Sequence, residues 1–220
     1  MSTSDPLTIS SPAAPRPWDA RLARKLVTPL KNTRVTPNHL TTVRLAVGLA
    51  GAAAFLPGTY LWSNVGALLM ILSNFLDHTD GELARISGKT SRIGHVYDLA
   101  SDAAVTILLF IAIGVGVAAG SKVSTQFPPV AQGFIAGCAI ALIFYLRMRI
   151  ENMLGKAASQ QASLGGFETE DVLYLLPLVT LSNGLVPFLL AAAVCAPLFA
   201  IWVVIDYRRV LRPRLSQGTR

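Results

Sequence analysis

Four aspartates carry the chemistry legible in this 220-residue sequence: Asp77, Asp80, Asp98 and Asp102. Asp77 and Asp80 are three residues apart and Asp98 and Asp102 four apart, spacings that put each pair on one face of a helix. Both pairs fall at the edge of strongly apolar stretches, where a charge is costly and is kept for function. The spacing is too regular, and too deep in the apolar pattern, for solvated helix caps. Four carboxylates converging at one depth require cations. An all-oxygen ligand set suits hard divalent ions such as Mg²⁺, Mn²⁺ or Ca²⁺. Such ions beside an arginine, here Arg85, are the equipment for handling a pyrophosphate, because they bridge phosphate oxygens and neutralise charge at the transferring phosphorus. One carboxylate remains to accept a proton from an attacking hydroxyl.

The elements that must hold these side chains are membrane helices. Hydrophobic residues make up 52% of the chain and charged ones only 14%, well below the quarter or so usual in soluble domains. Spans of about 20 apolar residues are expected at about 38–55, 61–85, 94–119, 129–150, 171–181 (short, with Pro177 inside it) and 185–207. Ahead of them, Trp18, Leu22, Leu26 and Leu30 recur every four residues, with Arg21, Arg24 and Lys25 on the other faces, as in an interfacial amphipathic helix. The fold class expected is therefore an all-α integral membrane protein of six transmembrane helices preceded by an N-terminal interfacial amphipathic helix. Residues 1–16 read as a disordered tail, 17–207 as one membrane domain and 208–220 as a basic cytoplasmic tail. The short turn between the second and third spans makes those helices antiparallel neighbours. The net charge of +7 comes from Lys and Arg flanking apolar segments, the pattern of membrane topology and contact with an anionic bilayer rather than nucleic acid. Those residues fall on one side when six spans are drawn, which puts both termini and the aspartates at the cytoplasmic face, most simply of a prokaryotic inner membrane. Cys138 and Cys195 lie inside apolar runs and read as small hydrophobes.

The pattern D-x2-D-G-x2-A-R-x8-G-x3-D-x3-D, filled by Asp77, Asp80, Gly81, Ala84, Arg85, Gly94, Asp98 and Asp102, resembles the signature of the CDP-alcohol phosphatidyltransferases. Every fixed position is matched, and the resemblance extends from about Trp18 to Tyr207. It implies transfer of a lipid-phosphate group from a CDP-linked lipid donor to a polar alcohol acceptor, with release of CMP, by a homodimer using two divalent ions, Mg²⁺ or Mn²⁺. By motif position, Asp77, Asp80 and Asp98 are implied as metal ligands, and Asp102 as ligand, general base or both. Gly81, Ala84 and Arg85 are implied as nucleotide contacts alongside the metal-binding aspartates. Asn38, in Thr36-Pro37-Asn38, matches the start of the family's first span as a further nucleotide contact or a plain helix start. Thr90 and Ser91, in the cytoplasmic turn, are placed to touch the nucleotide phosphates.

The acceptor is the open question. Arg147, Arg149 and Glu151 fall on positions matching a stretch of the relatives that make phosphatidylglycerol phosphate or phosphatidylinositol phosphate. Two arginines there suit an acceptor phosphate, such as that of glycerol-3-phosphate or inositol-phosphate; they also suit plain topology anchors. Against a phosphorylated acceptor, Glu168-Thr169-Glu170-Asp171 stands where those relatives often carry paired arginines, which favours a non-phosphorylated alcohol. His78 and His95, beside the motif but off its aspartate face, read as packing or interface residues rather than supports for the metal ligands, and Glu82 as an ion-pair partner for Lys89 or Arg92. A divalent-cation transporter is the rival of another class. It fits poorly, because the acids sit at one end of two helices instead of at the midplane.

Overall fold

In the computed structural model, which describes residues 18–120, 127–154 and 174–217, the described chain is helical. Helix α1 covers Trp18–Val27 and passes through a short 3₁₀ turn, Thr28–Leu30, before α2, Pro37–Phe55. Pro37 sits at the first position of α2, where its missing N–H costs nothing. The N–H of Thr36 donates to Nδ1 of His39 at 3.2 Å, so that histidine closes the helix start. Helix α3, Tyr60–Ser87, ends on Gly88, whose φ of 66° is the left-handed conformation that favours glycine. Helix α4, Arg92–Gly120, starts four residues on; Oγ of Ser91 accepts the N–H of Gly94 at 2.9 Å and caps it. Helices α5, Pro129–Leu154, α6, Leu176–Leu181, and α7, Leu185–Gln217, complete the described chain.

The expected spans coincide with α2, α3, α4, α5 and α7 to within a few residues at their starts. The fifth shares only its end with α6, because 155–173 lies outside the described residues. Among the described residues three helices are long and apolar enough to cross a bilayer, at Arg92–Gly120, Pro129–Ile150 and Leu185–Leu211. Helix α2 opens on the polar residues Asn38, His39, Thr41, Thr42 and Arg44, and α3 ends in charged ones, which lowers the apolar character of both.

Packing departs from the sequence expectation in one respect that matters. Among the described residues the backbones of α3 and α4 do not pack directly on each other: α2 packs against both, and the two helices meet through the side chains of Asp77, Asp98 and Asp102. A register of small residues permits it. A Cβ on Gly48 would lie 2.9 Å from both Oγ of Ser73 on α3 and Cγ1 of Val105 on α4, so α2 fits between them only as glycine there. Gly133 lets α5 press on the carbonyl of Phe110 in α4 in the same way. Phe55, Met70, Leu109, Phe110 and Leu189 form the core below this level, and Ile143, Leu146 and Val203 a second cluster between α5 and α7. Helix α1 packs on α3. It buries Ala23 and Val27 and leaves Leu22 and Leu26 exposed, a different face from the stripe the sequence suggested.

Candidate active site

The site is assembled on α2. Its second turn presents Thr41 and Arg44, three residues apart, to the aspartates of α3 on one side and of α4 on the other. Oγ1 of Thr41 donates to Oδ2 of the buried Asp80 at 2.8 Å. Nη1 of Arg44 donates to Oδ1 of Asp77 and to Oδ1 of Asp102, the latter at 2.7 Å. Its Nη2 lies 3.0 Å from Oδ1 of Asp98 and donates to the Asp98 carbonyl at 3.3 Å. The Arg44 carbonyl accepts Oγ of Ser73 at 3.1 Å, which fixes this turn of α2 against α3. Arg44 is 4% exposed, whereas the side chains of Asp77, Asp98 and Asp102 are 28%, 36% and 42% exposed. The guanidinium therefore lies beneath the carboxylates, and they keep an open side.

Asp77, Asp98 and Asp102 each bring one oxygen within 4.8 Å of the others. Asp80 is held apart from that group by Thr41. The donor set fits a hard divalent ion: all the atoms are carboxylate oxygens, and Oδ1 of Asp98 is buried without an aligned hydrogen bond, the 3.0 Å approach of Arg44 notwithstanding.

The remaining predicted residues spread around this cluster. A Cβ on Gly81 would meet nothing within 4 Å, so open space fronts that face of α3. A Cβ on Gly94 would come 2.7 Å from Oδ1 of Asn38, which puts Asn38 against the start of α4. Ala84 is half-buried. Arg85 is 61% exposed, and its Nη1 donates to Oε1 of the buried Glu82 at 2.6 Å. Glu82 thus pairs with Arg85. Lys89 instead donates to the carbonyls of Thr33 and Val35, at 2.8 and 3.2 Å, tying the α3–α4 turn to the segment before α2. Thr90 is exposed in that turn, and Ser91 serves as the helix cap. Arg147 lies over the Phe199 ring, 5.3 Å from its centroid, and Arg149 hydrogen-bonds Tyr207; both engage α7. Glu168–Asp171 lies outside the described residues.

Sequence reasoning missed Thr41 and Arg44. A signal was present: Arg44 is a lone charge inside an apolar span, the feature that flagged the aspartates.

The family model for CDP-alcohol phosphatidyltransferases matches residues 34–205. The chain belongs to that family. It is a transferase and an integral membrane protein, and membership sets the transporter rival aside. A curated relative, the bifunctional IPC transferase and DIPP synthase of Rubrobacter xylanophilus, is 29% identical over 143 residues, 65% of this chain. The match spans 30% of that relative's length. Among solved structures, the phosphatidylinositol phosphate synthase of Mycobacterium tuberculosis, crystallised with manganese and citrate, superposes with a TM-score of 0.54 at 25% identity. The alignment covers 88% of this phosphatidyltransferase and 87% of the mycobacterial chain.

Proposed function

We propose that this phosphatidyltransferase moves a phosphatidyl group from a CDP-linked lipid such as CDP-diacylglycerol to a phosphorylated polyol, inositol-phosphate or glycerol-3-phosphate, and releases CMP. The observation that carries the reading is the meeting of Asp77, Asp98 and Asp102 within 4.8 Å at an open face. Asp77, Asp80, Asp98 and Asp102 hold the divalent ions, two in number, Mg²⁺ or Mn²⁺. When bound, these ions neutralise the donor's pyrophosphate. Gly81, Ala84, Arg85 and Asn38 form the nucleotide cradle, with Gly81 leaving room for the ligand to approach α3. Asp102, the most exposed of the three clustered carboxylates, takes the proton from the acceptor hydroxyl as its oxygen attacks the lipid-side phosphorus. The bond from that phosphorus to CMP breaks, and CMP leaves with the electron pair.

Lipid access is supported by an apolar groove of about 290 Å³ between α4, α5 and α7. It begins at Thr106, one turn beyond Asp102 on α4, and continues past Ile143 and Ala192. Arg147 and Arg149 on α5 are the candidates for the acceptor phosphate, each swinging from its partner on α7. The product named for the mycobacterial neighbour favours this acceptor class. The acidic run Glu168–Asp171 favours the other reading, a non-phosphorylated alcohol.

The wider reading is a homodimer in a prokaryotic inner membrane. It has six spans over residues 17–207, α1 at the interface with Leu22 and Leu26 toward lipid, a tail at 1–16, a basic tail at 208–220 and the site on the cytoplasmic side. The test supplies the purified chain with CDP-diacylglycerol, Mn²⁺ and a panel of acceptors. CMP release with inositol-phosphate or glycerol-3-phosphate is expected. Release with free inositol, serine or glycerol alone hands the acceptor to the non-phosphorylated reading, and release with none defeats the proposal.

A further inference from the structure

The buried guanidinium of Arg44 plays no part in the proposed reaction, yet it touches three of the four signature aspartates. An arginine keeps its charge in any surroundings, so this contact is a permanent cation. It is also held in place: Ser73 fixes the carbonyl of the same residue, and Gly48, one turn on, is wedged between α3 and α4. Three carboxylates brought together without a cation would repel one another and destabilise the bundle. With Arg44 among them they carry two net negative charges instead of three.

We infer that Arg44 is an internal counter-cation that competes with divalent ions for Asp77, Asp98 and Asp102, and thereby sets how tightly this chain holds metal. The inference rests on the metal-dependent reading above. It has two consequences of opposite sign. Arg44 keeps the acidic cluster assembled when metal is scarce. It also weakens metal binding, because an ion must share ligands with a positive charge a few ångströms away, an interaction that is strong where water is partly excluded. Removing the charge should therefore tighten metal binding while making the fold depend on metal.

The test uses the full chain in detergent, purified with Mn²⁺ and then stripped. Mn²⁺ binding is read from the spin-resonance signal of the free ion, and unfolding from melting curves in chelator and in Mn²⁺. For Arg44→Gln the expected result is a Kd for Mn²⁺ at least about tenfold below that of the parent, and a melting temperature lowered in chelator but restored by Mn²⁺. Arg44→Lys, which keeps the charge, should stay within a few-fold of the parent. A folded Arg44→Gln protein that binds Mn²⁺ no tighter than the parent overturns the inference. So does a variant that fails to fold even with Mn²⁺ present, since the ion should replace the lost charge. If the parent chain itself binds no Mn²⁺, it is the metal reading that fails.

Discussion

Within the site, Asp77, Asp98 and Asp102 share Arg44 whereas Asp80 is held by Thr41, and the three that share a cation differ in exposure. Asp102 combines the greatest exposure of the clustered carboxylates with a bond to Arg44. Asp102→Asn keeps the size and one oxygen but cannot accept a proton. Turnover should fall by about 10²- to 10⁴-fold, the usual worth of a positioned base, while Mn²⁺ binding survives in part; CMP release beside Mn²⁺ titration checks both. A variant that binds Mn²⁺ and still turns over normally would remove Asp102 from the base role. Asp80 is the aspartate held by a neutral donor. Thr41→Val removes that donor and leaves a buried carboxylate short of a hydrogen bond, at a cost of ~1–3 kcal/mol, visible as a lower melting temperature in chelator. The aspartates were readable from sequence because their spacing and their apolar setting coincide. Thr41 carried no such signal, and Arg44 carried only that of a lone charge in an apolar span. Their meaning depends on which helix stands beside which, a fact no local pattern encodes.

Helix limits were legible for a physical reason: the chain punctuates itself with Pro37, Pro57-Gly58, Gly88, Pro128-Pro129 and Ser182-Asn183-Gly184. Asn183, with φ of 55°, and Gly88 take the left-handed conformation such turns require. Neighbour relations were not legible. A short turn between α3 and α4 suggested direct contact, but the insertion of α2 between them is decided by side-chain volume at Gly48, Ser73 and Val105. Gly48→Val should accordingly prise α2 from one of its partners, moving Arg44 and Thr41 away from the aspartates. The expected cost is ~1–3 kcal/mol of overpacking together with a loss of activity larger than that of a comparable change elsewhere on α2, such as exposed Leu49→Val. Melting curves and CMP release measured on both variants make the comparison; equal activity in the two would mean that α2 does not set the geometry of the site.

For the whole molecule, the polar and apolar halves of the reaction have to meet at one depth. The carboxylates line one face of α4 through Asp98 and Asp102, and the next turn, at Thr106, opens the groove between α4, α5 and α7. From Phe188 to Phe199 its lining on α7 recurs every three or four residues through Ala192 and Cys195, a run of about 16 Å at the helical rise. At the end of this run Phe199 carries Arg147 on its ring. A lipid tail lying along this stripe would bring its phosphate to the level of Asp102, while the nucleotide stays at the open face beside Gly81. Ala192 is small, half-buried and midway along the stripe. Ala192→Trp should therefore block the groove without touching a charged group. With a long-chain donor the KM should rise several-fold or turnover fall, while a short-chain CDP-linked donor that needs only the first part of the groove should be used nearly as well as by the parent chain. Equal losses with both donors, in a protein that melts normally, would mean that the tails run elsewhere and that the groove serves packing alone.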